Sequence, residues 1–151
     1  MLQEVHVGHK SLADYQSVVA RNLMEEIREL GESLKGARVL HINATSFGGG
    51  VAEILYSIVP FMRDLGIETD WRVIVAPQEF YDGTKAMHNA LQGNPEGLTV
   101  EQQELFEKHN RIASESLGRD YDYIIVHDPQ PLLMRHFAGD LGARWIWQCH
   151  I

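Results

Sequence analysis

Arg38-Val39-Leu40-His41-Ile42-Asn43 followed by Ala44-Thr45-Ser46-Phe47-Gly48-Gly49-Gly50 and then Val51-Ala52-Glu53-Ile54-Leu55 is the stretch that decides the fold. Six residues of nearly continuous apolar character read as a strand covered on both faces, as in a parallel sheet. The glycine-rich run is a turn, and Val51, Ile54, Leu55, Ile58, Val59, Met62 and Leu65 then recur on one face of a helix closed by Gly66. Strand, glycine turn and helix in that order form the first half of a βαβ unit. Pro60 lies inside the helix and removes one backbone hydrogen bond, so a kink or an early break near Tyr56 is expected.

The same alternation continues downstream. Trp71–Ala76 reads as a second strand stopped by Pro77, and Glu79–Leu91 as a helix ended by Gly93-Asn94-Pro95-Glu96-Gly97. Thr99, with Gln102 three residues on, has the spacing of a capping box for a helix running to Gly118. Tyr123–Val126 is a third strand, Pro131–Ala138 a short helix, and Arg144–Cys149 a fourth strand expected to lie in the core, with the Cys149 thiol buried. Upstream, Tyr15, Val18, Val19, Leu23, Ile27, Leu30 and Leu34 predict an amphipathic helix over Asp14–Leu34. The reading is α/β: a doubly wound, mostly parallel, Rossmann-like sheet over residues 36–151, with residues 1–35 as a helical extension packed on it and a frayed start around His6 and His9. Because the fourth strand has no following helix to cover it, the chain is expected to be the first part of a longer protein.

Composition limits the partners. Against 13 basic residues stand 21 acidic ones in 151, a net charge of −8. Such a chain repels phosphate backbones and anionic lipid, so neither nucleic acid nor membrane is an expected partner. With 44% hydrophobic and 23% charged residues it is ordinary globular material. A lone cysteine, no transmembrane run and no visible secretory leader make the cytoplasm the expected compartment.

Ligands of open parallel sheets bind beyond the carboxyl ends of the strands. After the first strand, Gly48, Gly49 and Gly50 would let backbone amides approach an anion such as phosphate, or would simply make a tight turn. The dinucleotide fingerprint fails at Glu53, and no Gly-Lys-Ser/Thr follows. After the third strand, His127-Asp128-Pro129-Gln130-Pro131 sets an imidazole, a carboxylate and an amide in a stiff loop, the groups that pair with sugar hydroxyls; the alternative is a helix cap by Asp128. His150 follows the fourth strand, so three strand ends should converge on one cleft. His88, Asn89 and Gln92 fall at helical spacing and line either a sugar pocket or a solvated helix face. No His-Glu-x-x-His or Gly-x-Ser-x-Gly motif occurs, so neither a metal site nor a serine nucleophile is expected.

Four motifs in order, Ser46–Leu55, His88–Gly93, Val126–Pro131 and Trp145–Ile151, resemble the trehalose glycosyltransferring synthases. The resemblance covers nearly the whole chain, but only the first domain of that family. Its members are retaining family 4 glycosyltransferases of the GT-B fold, in which two Rossmann-like domains face each other. It implies transfer of glucose from ADP-glucose or UDP-glucose to glucose, giving trehalose reversibly, with the nucleotide sugar as substrate and no cofactor or metal. It further implies that Gly48, Gly49 and Gly50 approach the donor diphosphate, that Asp128 grips hydroxyls of the acceptor sugar, and that His150 sits at the transfer site. Ser46, His88, Asn89, Gln92, His127 and Gln130 would complete the pocket for glucose or trehalose. Gln148 stands where arginine is expected in close relatives, so by the resemblance one charge contact in the cleft, bearing on donor or phosphate preference, is absent.

The nucleotide-holding second domain would lie beyond Ile151, so the chain alone is expected to bind sugar weakly and turn nothing over. Catalysis in such enzymes rests on same-face attack with the leaving diphosphate as base, the protein supplying position and electrostatics. A phosphate-using trehalose phosphorylase, a non-catalytic sugar-binding module, and an interaction domain pairing with a second copy are the competing readings.

Overall fold

The computed structural model describes residues 1–151 and has an α/β architecture. Its elements in chain order are β1 (Leu2–Glu4), α1 (Arg21–Ser33), β2 (Arg38–Asn43), α2 (Gly50–Asp64), β3 (Glu68–Ile74), α3 (Gln78–Leu91), α4 (Val100–Ser114), β4 (Tyr123–His127), α5 (Met134–Ala138) and β5 (Arg144–Gln148). The five strands form one sheet in the order β1-β3-β2-β4-β5, parallel throughout except for β1, which runs antiparallel to β3. The doubly wound reading holds. The chain leaves β2 toward β3 on one side and returns past it to β4 on the other, so the winding reverses between β2 and β4 and opens a crevice there.

Alternation along β2 explains the two layers. Leu40 and Ile42, fully buried, face a cluster with Ile74, Phe80, Ile124, Val126 and Met134, which covers the α3–α5 side. The opposite side is packed by Ala52, Leu55 and Val59 of α2 against Trp71 and Val73. Each fully buried leucine, isoleucine or valine contributes on the order of 2 kcal/mol. His41 lies on the α2 side, where its ring meets Met62.

Several boundaries differ from expectation. The start is not frayed: Leu2–Glu4 pairs with Ile74–Arg72, and Val5 is buried. The helix expected over Asp14–Leu34 begins at Arg21; upstream is a 3₁₀ turn, Leu12–Tyr15, closed by a Ser11 and Asp14 capping box. Val18, in phase with the apolar stripe, is 77% exposed, because periodicity alone supplies no surface for it to cover. Gly31 packs so close to Leu65 that a Cβ would lie 2.9 Å from Leu65 Cδ2. Helix α2 runs unbroken through Pro60: the ring sits in the buried apolar face, and tertiary packing outweighs one absent bond. The second strand starts at Glu68, three residues early, because parallel pairing with β2 orders it from that point. The Thr99 capping box is present, with Thr99 Oγ1 accepting from Gln102 N–H and Gln102 Oε1 accepting from Thr99 N–H. Within these 151 residues strand β5 is the edge strand of the sheet: only Trp145 is half-buried, and Cys149 is exposed.

Candidate functional site

The carboxyl ends of β2, β4 and β5 meet in a cleft of about 580 Å3, within the roughly 300–1,000 Å3 usual for small-molecule sites. Its walls include Gly48, Gly49, Gly50, His88, His127, Asp128, Gln130 and His150. Three of the expected residues lie elsewhere. Ser46 lines a neighbouring cavity on the far side of the glycine loop, with Phe47, Gln78 and Tyr81. Asn89 and Gln92 are exposed outside the cleft: Asn89 is turned about 100° from His88 around the helix, and Gln92 lies one residue past the end of α3.

The glycine loop is anchored at its start. Asn43, buried as the last residue of β2, donates from Nδ2 to the Thr45 carbonyl at 2.7 Å and accepts from Trp71 Nε1 at 2.7 Å. Gly48 has φ +73°, a conformation that favours glycine. Gly49 caps α2 with no side-chain hydrogen bond, which leaves the first amides of a fifteen-residue helix without a capping side chain. A Cβ built on Gly49 or Gly50 meets nothing within 4 Å. This wall therefore offers donors and a positive dipole end with room for an anion to approach.

The opposite wall is built on Asp128. Its φ is +60°, the only non-glycine residue in the left-handed region, a conformation costing on the order of 1 kcal/mol. Three contacts hold it there. Its N–H donates to the Gln148 carbonyl at 2.9 Å, its own carbonyl accepts from Trp147 Nε1 at 3.1 Å, and Oδ1 accepts the His150 N–H at 2.7 Å. The carboxylate thus ties the end of β5 to that of β4, while Oδ2 has no protein partner. The helix-cap alternative fails, since α5 is preceded by Leu133 and has no side-chain cap. Gln130 Oε1 is buried without a hydrogen-bond partner, an orphan acceptor on the cleft wall.

Beneath this wall runs a chain of imidazoles that the sequence reading missed. His41 Nδ1 lies 2.9 Å from His127 Nε2, and His127 Nδ1 lies 3.0 Å from His150 Nε2. Burial holds His41 down to about 4. Burial, then the neighbouring imidazoles, hold His127 down to about 3 against the opposing pull of Asp128. Both inner rings are neutral at pH 7. The available signal was parity: His41 and His127 are polar residues inside apolar strands, both on the α2 side.

Residues 41–151 match the family described as trehalose synthase, N-terminal domain. The chain is 53% identical over 156 residues to a trehalose synthase of Rubrobacter xylanophilus, covering 100% of this chain and 38% of the relative. It is 45% identical over 152 residues to one of Pyrococcus horikoshii, covering 99% and 36%. Against that of Thermococcus litoralis it is 44% identical over 144 residues, covering 94% and 35%. The chain thus spans little more than a third of the length of these curated relatives.

Proposed function

The chain belongs to the trehalose synthase family as its N-terminal domain, and from that premise we propose that its cleft is the acceptor-sugar half of a glucose-transfer site. The carrying observation is the convergence of Gly48–Gly50, Asp128 and His150 from three strand ends on one cleft. Asp128 Oδ2, without a protein partner, accepts a hydroxyl hydrogen of glucose, and at transfer the attacking hydroxyl passes its proton to the leaving diphosphate as its oxygen bonds to C1 of the donor glucose, the protein supplying position. The donor is a nucleoside diphosphate glucose, ADP- or UDP-linked, entering as substrate with no cofactor. The glycine wall faces its diphosphate, because bare amides at a helix N-terminus stabilise the charge that builds on a leaving phosphate. Transfer retains configuration, and the remaining part of the cleft comes from a nucleotide-holding second domain.

Turnover tests this reading. The 151-residue chain incubated with glucose and ADP- or UDP-glucose gives no trehalose, whereas the chain joined to the complementary part of the Rubrobacter xylanophilus relative gives it. Trehalose from the chain alone, or none from the chimera when the intact relative is active, overturns the proposal.

A further inference from the structure

The three imidazoles have a direction, and the structure shows what sets it. A neutral imidazole carries one N–H and one bare nitrogen, so each close nitrogen pair needs one donor and one acceptor. The pairs at 2.9 Å and 3.0 Å therefore allow only two arrangements, with all the N–H groups pointing inward or all pointing outward. Successive ring planes lie 22° and 23° apart, and turning the central His127 ring over would put carbons where both of its contacting nitrogens stand. At the inner end, His41 Nε2 meets Met62 Sδ at 3.4 Å. A thioether has no proton and can only accept. The arrangement that gives this sulfur a donor places the proton of His41 on Nε2 and leaves Nδ1 to accept from His127. His127 must then accept from His150.

We propose that Met62 is a positioning residue: through His41 and His127 it fixes His150 with its proton on Nε2, so that His150 presents a bare Nδ1 to the cleft as a hydrogen-bond acceptor. Burial keeps the inner two rings neutral, so no second proton interrupts the chain. His150 is exposed, lines the cleft and has no partner on Nδ1. Asp128, on the same wall, adds Oδ2 as a second acceptor. The cleft then has an accepting wall on β4 and β5 facing a donating wall at the start of α2. Such a pair of walls takes neutral hydroxyl donors on one side and an anion on the other, and the accepting wall repels phosphate. The specificity step rests on the sugar-transfer reading; the proton placement does not.

Long-range proton–nitrogen NMR of the 15N-labelled chain at neutral pH reads the ring protons directly, with no sugar present. All three rings should show the Nε2–H pattern. In Met62→Leu, which keeps the bulk and removes the acceptor, the His150 nitrogens should move toward a mixture of both tautomers although residue 62 does not touch that ring. An Nδ1–H pattern at any of the three in the wild type, or an unchanged His150 in Met62→Leu, overturns the proposal; if the variant does not fold, the wild-type spectrum decides. Added glucose should then shift His150 Nδ1. Silence toward glucose with the Nε2–H pattern intact counts against the sugar reading alone.

Discussion

Acid should unfold this chain earlier than its carboxylates alone would dictate, because two rings of the imidazole chain are neutral in the fold. His41 and His127 fall from an ordinary value of 6.5 to about 4 and about 3, in both cases chiefly through burial. The folded-state values are depressed, so this contribution is complete above 6.5 and is lost as pH falls from there through 4 and 3. Above about pH 5 the native rings take up almost no proton while the unfolded ones do. Between pH 7 and 5.5 each ring then costs about 1 kcal/mol, so the pair costs about 2 to 3 kcal/mol of unfolding free energy. His109, also lowered by burial, acts in the same direction. Urea unfolding followed by tryptophan fluorescence measures this, since Trp71 is fully buried. Relative to wild type, His41→Gln and His127→Gln should each flatten the dependence between pH 7 and 5.5 by about 1 kcal/mol, whatever their absolute stability. Parallel curves for wild type and both variants would refute the claim that the chain is buried and neutral.

Asp128→Ala removes the carboxylate that accepts the His150 N–H and places alanine at φ +60°, so it should cost about 1 to 2 kcal/mol in urea unfolding; calorimetry should also show weakened glucose binding, and equal affinity removes Asp128 from the pocket. Gly48→Ala meets the φ +73° requirement and should destabilise by about 1 kcal/mol. Gly49→Ala, with open space around its Cβ and extended backbone, should leave stability within about 1 kcal/mol yet weaken pyrophosphate binding, read by competition in the same calorimeter. Thr99→Ala breaks a complete capping box and should cost about 1 kcal/mol in thermal unfolding without touching glucose affinity.

The doubly wound order was legible because β2, β3 and β4 each carry a short cluster of apolar residues and the helices between them an apolar stripe of period 3.6. Parallel connection then puts the ends of β2, β4 and β5 on one edge, which is why Gly48–Gly50, Asp128 and His150 could be grouped without coordinates. What escaped depends on distant pairing. Leu2–Glu4 is a strand only because the edge of β3 accepts it, and three residues carry no periodicity. The imidazole chain depends on the β2–β4 register, in which Ile42 stands beside Val126, so that His41 and His127 meet diagonally. Ser46, Asn89 and Gln92 follow the motifs in sequence but not in space: Ser46 lines the neighbouring cavity, one step around α3 turns Asn89 from the cleft, and Gln92 lies past the helix end. The exposure of Cys149 follows from the edge position of β5, which apolar composition alone does not reveal.

Whether the three strand ends make a saccharide site is tested most directly by following the backbone amides of the 15N-labelled chain as glucose is added. Saturable shifts confined to Gly48–Val51, His88, His127, Asp128, Gln130 and His150 are predicted. Shifts gathered instead at the opposite end of the sheet, around Lys35–Ala37 and Arg144, or no saturable shift at all, would contradict the account.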